Sequence, residues 1–135
     1  MNGETSRESV LKYAAEQYGT EPEYLWMSDP EYAVLRHPCG KWYGVIMNVP
    51  NFRLGLMGEG ETDILAFKCE RELIPLLLTQ EGYLPAYHLN KEHWAAARLD
   101  GTLPMEQVKQ LLSMSFEMVT PKRKRRAKTE GNAEI

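Results

Sequence analysis

The chain has 135 residues, of which 43% are hydrophobic and 26% are charged. This length fits one domain, and this apolar content excludes a chain that is disordered throughout. Two cysteines are too few for a secreted disulfide scaffold. The first residues lack the basic and apolar regions of a signal peptide, and the apolar runs are too short to cross a bilayer. We therefore expect a cytoplasmic protein with reduced thiols.

The net charge of −3 is divided unevenly along the sequence. Residues 1–120, the predicted domain, contain ten basic and seventeen acidic residues and carry a charge of −7. Residues 121–135, which we call the basic tail, contain six basic and two acidic residues and carry +4. The tail has no recurring apolar positions, which predicts a disordered segment.

The first predicted element is a helix that begins near Thr5. Thr5 and Glu8 have the spacing of a capping box. Gly19 stands where a glycine in the left-handed conformation would end the helix. The apolar residues that recur at helical spacing between these signals are Val10, Leu11, Ala14, Ala15 and Tyr18.

A strand-rich region follows the first helix. Residues 32–37 and 42–49 are rich in strand-forming types, and a Pro-Cys-Gly-Lys turn separates them, which predicts a hairpin. Residues 52–57 and 63–68 are predicted as the third and fourth strands. Four neighbouring strands with short connections are typical of an antiparallel meander.

The second predicted helix covers residues 70–80. Pro75 is compatible with it only near the first turn, so the helix should start late or bend. Residues 84–92 have no clear periodicity, and residues 93–99 are predicted as a strand.

A last helix is predicted between Pro104 and Pro121. Its apolar face comprises Val108, Leu111, Leu112, Ser115 and Val119. The complete order is α-β-β-β-β-α-β-α. This order indicates an α+β fold with a central antiparallel sheet and helices packed on one of its faces.

Several segments in this order resemble the MmcQ/YjbR family. The most specific is Pro-Ala-Tyr-His-Leu-Asn-Lys-Glu-His-Trp at residues 85–94. The others are residues 29–36, the aromatic strand from Trp42, and residues 65–69, 99–101 and 115–119. The resemblance extends over about residues 5–120 and implies a CyaY-like fold. It also implies DNA binding through a double-wing arrangement. Two features depart from the family pattern. The basic tail lies outside the region of resemblance, and Pro75 interrupts a helix that is usually uninterrupted in this family.

The densest polar and aromatic cluster lies at residues 87–94. Its amide, imidazole and ammonium groups could bind an anion such as a phosphate, and its aromatic rings could stack on a base. The candidate site residues are Lys68, Tyr87, His88, Asn90, Lys91, His93 and Trp94. Alternatively, the Asn and His side chains satisfy backbone groups of a loop, Trp94 fills the core, and the lysines are solvated.

Metal binding and catalysis have little support in the sequence. The possible metal ligands are His37, Cys39, Cys69, His88 and His93, and none has a paired zinc spacing. The glycine-rich residues 58–61 lack the Lys-Ser/Thr of a phosphate-binding loop, and no nucleophile motif is present. We therefore expect no metal, no cofactor and no enzymatic activity.

The basic tail could contact phosphates. Its consecutive cations are Lys122, Arg123, Lys124, Arg125 and Arg126. Such a run would give salt-dependent affinity without base recognition. Alternatively, it keeps the protein soluble or folds back on the acidic domain.

Two functions from different classes therefore remain open. The first is non-specific DNA binding through basic residues, mainly those of the tail. The second is a non-enzymatic domain that binds a small anionic ligand or a protein in a polar and aromatic pocket around residues 87–94. Neither function requires a membrane.

Overall fold

The computed structural model describes residues 5–121. In this part of the chain, the helices are α1 (Arg7–Tyr18), α2 (Ile74–Leu77) and α3 (Met105–Val119), with a 3₁₀ helix at Asn51–Leu54. The strands are β1 (Ala33–Arg36), β2 (Trp42–Pro50), β3 (Glu61–Lys68), β4 (Tyr83–Pro85) and β5 (Trp94–Arg98). The predicted disorder of the basic tail concerns residues outside this range and stays a prediction.

The described strands form one antiparallel sheet in the order β1-β2-β3-β5-β4. The buried residues of the three helices belong to one apolar cluster on a single face of this sheet. The predicted fold class, α+β with an antiparallel sheet and helices on one face, is therefore confirmed.

Helix α3 packs closely on the centre of the sheet. Its buried residues include Val108, Leu111, Leu112, Ser115 and Val119, the whole predicted face. Gly44 in β2 lies beneath this contact, and a Cβ atom there would be crowded by a Leu35 methyl carbon of β1 at 3.0 Å, whereas a Leu112 methyl carbon of α3 would lie at an ordinary 3.6 Å. The sequence predicts this face correctly because a long helix with one buried side has apolar residues at regular helical spacing.

The opposite face of the sheet is covered by loops, and we call it the loop-covered face. Its buried side chains are Val34, Val45, Met47, Val49, Ile64, Ala66, Ala86, Trp94 and Ala96. The side chains packed over them include Trp26, Tyr32, Leu54, Leu84, Tyr87 and Leu89. Because both faces of β2 and of the middle of β3 are buried, β2 and residues 64–67 of β3 are mostly apolar and do not alternate with polar residues.

The predicted strand at residues 52–57 is wrong. This segment contains the 3₁₀ helix, which ends at Gly55 with a φ of 75°. Phe52 and Met57 are 74% and 93% exposed, so the apolar residues of the segment do not mark a buried strand face. The strand that completes the sheet is β4, which has three residues and is too short to show a periodicity.

Two helix boundaries also differ from the prediction. The cap of α1 is Ser6, which exchanges hydrogen bonds with Ser9, whereas the buried Thr5 hydroxyl donates to the Leu103 carbonyl. Gly19 ends α1 in the left-handed conformation, as predicted. Helix α2 is limited to Ile74–Leu77 and has Pro75 in its first turn, where the missing N–H group has no helical partner to lose.

A serine of α3 joins two strands at one end of the sheet. The Ser115 hydroxyl donates to the Tyr43 carbonyl at 2.6 Å and accepts from the Lys68 N–H at 2.8 Å. The β2–β3 pairing stops at Gly44 and Phe67, one residue before this point. The hydroxyl therefore takes the place of the next rung of the ladder, and it satisfies two backbone groups in a fully buried position.

Replacing Ser115 should destabilise the domain strongly. In Ser115→Ala, one buried donor and one buried acceptor lose their partner, so the free energy of unfolding should fall by about 2–4 kcal/mol. Urea unfolding followed by circular dichroism would measure it. Ser113→Ala is the matched control, because Ser113 is exposed on the same helix. Equal unfolding midpoints for the two variants would contradict the bridging role of Ser115.

Candidate functional site

Three lysines lie at the same end of the sheet. Lys41 is in the turn between β1 and β2, Lys68 is the last residue of β3, and Lys91 is in the loop that leads into β5. The antiparallel pairing places these three points at one end, where Lys68 is the partner of Trp94. We call this region the lysine end of the sheet.

Most cations of the described domain are paired with acids. The ion pairs are Arg7–Asp63, Lys12–Glu16, Arg36–Glu23, Arg71–Glu92, Arg98–Asp100 and Lys109–Glu106. Within residues 5–121, Lys41, Arg53, Lys68 and Lys91 form no such pair. Three of these four cations are the lysines of the lysine end, so that end can interact with an external anion without first breaking an ion pair.

Lys68 and Trp94 form a stacked pair. The Lys68 ammonium lies 5.7 Å from the centroid of the indole ring, within the range of a cation–π contact. Trp94 is only 8% exposed and packs in the core of the loop-covered face. It therefore positions the lysine and leaves little ring surface for stacking on a ligand.

Asn90 and His93 shape the loop before β5. The Asn90 side-chain oxygen accepts a hydrogen bond from the Glu92 N–H at 2.8 Å. The backbone carbonyl of Asn90 accepts from the N–H groups of His93 and Trp94. The His93 carbonyl accepts from the Cys69 N–H at 3.0 Å, next to the end of the β3–β5 ladder. The Asn90 contact matches the alternative in which its side chain satisfies a loop backbone group, whereas His93 takes part through its own backbone.

His88 has a left-handed backbone, with a φ of 65°. Histidine is one of the non-glycine types that adopt this conformation more often than most. Its ring is exposed and lies 4.0 Å, between centroids, from the ring of Tyr87. The chain bends at residues 87–89, around this unusual backbone conformation.

A cavity of about 220 Å³ lies between the 3₁₀ helix and the loop that follows β4. It is lined by Arg53, Leu54, Leu84, Pro85, Ala86, Tyr87 and Lys91. Of the predicted site residues, only Tyr87 and Lys91 line it. Arg53 is not among the site residues predicted from the sequence, because residues 52–57 are predicted as a strand. The one sequence signal for a binding role is a cation next to an aromatic residue, Phe52, which is exposed in the structure.

The seven predicted residues therefore do not converge on one concavity. Lys68 and Trp94 form one unit at the lysine end, Tyr87 lines the cavity, and Lys91 belongs to both. Tyr32 lies in the same region of the loop-covered face. Burial, aided by Asp29 and Tyr87, raises the pKa of Tyr32, so its phenol is protonated at neutral pH.

The end of α3 is attached to the lysine end by His37. The Cys39 N–H donates to His37 Nδ1 at 2.9 Å, and His37 Nε2 lies 3.0 Å from the Thr120 hydroxyl oxygen. Nδ1 accepts a hydrogen bond and therefore carries no proton. The Thr120 hydroxyl donates to the Phe116 carbonyl, so Nε2 carries the ring proton and donates it to Thr120. The imidazole ring is therefore neutral. The chain therefore reaches Pro121, the last described residue, beside the β1–β2 turn.

Acid should weaken this attachment. Burial lowers the pKa of His37, which Glu117 offsets only in part, so the folded state disfavours the charged ring. The neutral His37 ring therefore stabilises the folded state fully above the pKa of histidine in the unfolded chain, about 6.5. This stabilisation is lost as the pH falls towards the lower pKa of His37 in the folded state. The urea midpoint of the wild type should exceed that of His37→Gln by more at pH 8 than at pH 5. A constant difference would contradict this assignment.

Other site chemistries find no support in the described residues. Within residues 5–121, no three His, Cys, Asp or Glu side chains are grouped so that they could hold a metal ion. Burial raises the pKa of the Cys69 thiol, which makes it a poor nucleophile. No helix in this range is long and apolar enough to cross a membrane.

The sheet, its single helical layer and the lysine end define a small α+β domain with a candidate anion-binding surface. The family model described as YjbR matches residues 15–118. The chain belongs to the YjbR family, which confirms the resemblance seen in the sequence.

Two relatives extend this result. The uncharacterized protein YyaQ of Bacillus subtilis (strain 168) is 46% identical over 114 residues, which cover 84% of this chain and 97% of YyaQ. The uncharacterized protein YjbR of Escherichia coli (strain K12) is 31% identical over 90 residues, which cover 63% of this chain and 76% of YjbR.

Solved structures have the same fold. A crystal structure of a Pseudomonas syringae protein matches with a TM-score of 0.81 and 36% identity, over 84% of this chain and 97% of that one. A Deinococcus radiodurans protein with a DUF419 domain matches with a TM-score of 0.67 and 23% identity, over 90% of this chain and 83% of that one. The second likeness concerns the fold alone.

Proposed function

We propose that the protein binds DNA through phosphate contacts, without sequence preference. The contacts come from the lysine end of the sheet and from the consecutive cations of the basic tail. The observation that carries the proposal is the position of Lys41, Lys68 and Lys91 at one end, outside the ion pairs of the described domain. Helix α3 brings the chain to Pro121 at this same end.

The width of the sheet suits several phosphate contacts. Neighbouring strands are about 4.8 Å apart, so lysines near β1–β2, β3 and β4–β5 are distributed over about three spacings, or roughly 14 Å. Duplex DNA carries one negative charge per about 1.7 Å of its axis, so this distance faces several phosphates. Contacts of this kind give affinity and orientation but do not distinguish base sequences.

The acidic domain limits how DNA can lie on it. Residues 1–120 carry −7, and a polyanion lying along the helical face would be repelled. On that face, Lys12 and Lys109 are already paired with Glu16 and Glu106. DNA contact at the lysine end alone, continued by the tail, avoids most of this repulsion.

A salt series tests the contribution of the sheet end. We expect Lys41→Gln/Lys68→Gln in the full-length chain to bind duplex DNA more weakly. The slope of log affinity against log salt concentration should be reduced by roughly 2, because about one counterion is released per phosphate contact. Fluorescence anisotropy with a labelled duplex of about 20 base pairs would measure both quantities.

Two further variants are the controls. Lys12→Gln/Lys109→Gln removes the same charge from the helical face and should keep the wild-type slope. Substituting Gln at Lys122, Arg123, Lys124, Arg125 and Arg126 measures the share of the tail. The proposal is abandoned if the wild type does not bind at low salt. If Lys41→Gln/Lys68→Gln keeps the wild-type slope, the sheet end is not part of the interface.

A further inference from the structure

We propose that the cavity between the 3₁₀ helix and the loop after β4 binds a small organic anion. The ligand class is a carboxylate or phosphate monoester that carries a compact apolar group. This goes beyond DNA binding, because it assigns a second kind of ligand to a separate, concave part of the loop-covered face. Arg53, which DNA binding at the lysine end does not use, is central to it.

The charges of the cavity wall favour an anion. Arg53 comes from the 3₁₀ helix and Lys91 from the loop before β5, and both line a space of about 220 Å³. Neither has an ion-pair partner within residues 5–121. Two cations around one small space repel each other, and an anion between them would remove that repulsion and gain charge-assisted hydrogen bonds.

The rest of the wall favours an apolar ligand body. The uncharged aliphatic lining comes from Leu54, Leu84, Pro85 and Ala86. An inorganic anion would leave these surfaces without a partner, whereas an organic anion would cover them. The volume lies below the roughly 300–1,000 Å³ of sites for drug-sized molecules, which limits the ligand to about ten non-hydrogen atoms.

Tyr87 adds a directed polar group to this wall. It lines the cavity, is half-buried, and its phenol can donate a hydrogen bond to an anion. The left-handed backbone of His88 follows it directly. Backbone conformations of this kind cost energy, and they are concentrated at ligand-binding and active sites, where they hold side chains in place.

Titration of the full-length, ¹⁵N-labelled protein tests the proposal, with phenyl phosphate as the probe. We expect saturable amide shifts confined to residues 52–54 and 84–91. Inorganic phosphate, which lacks the apolar group, should bind at least about tenfold more weakly, and so should benzyl alcohol, which lacks the charge. Arg53→Gln and Lys91→Gln should each weaken phenyl phosphate binding about tenfold, because each removes one charge-assisted contact.

Lys12→Gln is the matched control, since it removes an exposed cation of the helical face, outside both the cavity and the lysine end, and should leave phenyl phosphate affinity unchanged. Arg53 and Lys91 are exposed, so their substitution leaves the apolar core intact. The proposal is overturned if no saturable amide shift is seen, or if the shifted amides lie near other cations and not at residues 52–54 and 84–91. It is equally overturned if both cavity variants bind phenyl phosphate as tightly as the wild type. It is also overturned if either comparison probe binds as tightly as phenyl phosphate. The DNA test rests on Lys41 and Lys68, so the two proposals can fail separately.

Discussion

The hydrogen bonds of the Ser115 hydroxyl determine how the helical layer meets the lysine end of the sheet. The hydroxyl joins α3 to both β2 and β3 at the point where their own pairing stops. The Lys68 N–H is one of its partners, so the same contact fixes the backbone from which the lysine side chain extends over Trp94. One turn later, α3 ends against His37 and the β1–β2 turn. A single polar side chain in an apolar helix face thus positions both the lysine end and the exit of the chain.

Burial on both sides of the sheet explains where the candidate ligand-binding residues lie. The helices cover one face, and the other face is covered by irregular segments that include the 3₁₀ helix and the loop before β5. Such segments cannot satisfy all their backbone groups by regular pairing, so side chains such as Asn90 must do so. They also leave gaps between them, and the cavity lined by Arg53 and Lys91 is one such gap. The cavity that contains predicted site residues therefore lies between irregular segments of this face.

The sequence predicted elements whose signals are local. The apolar face of α3 and the β1–β2 hairpin follow from periodicity and turn residues, and the structure agrees with both. The strand predicted at 52–57 was wrong because the apolar residues there pack over the loop-covered face or are exposed to solvent, and neither arrangement produces a periodic sequence pattern. Only part of the candidate site could be predicted, because its remaining residues are also brought together by the tertiary structure. Residue types at 87–94 indicated polar chemistry, but the pairing of Lys91 with Arg53 across a cavity depends on how two distant segments cross.

Net charge alone would have excluded DNA as a ligand of this domain, and the distribution of the charge changes that conclusion. At physiological ionic strength, electrostatic interactions are screened beyond about 8 Å, so an exposed phosphate interacts mainly with charges near its point of contact. Many acids of the domain are neutralised locally by ion pairs such as Arg36–Glu23 and Arg98–Asp100. The lysines of the lysine end form no ion pair within residues 5–121. The net charge of the domain is therefore a poorer guide to where an anion would bind than the local charge at the lysine end.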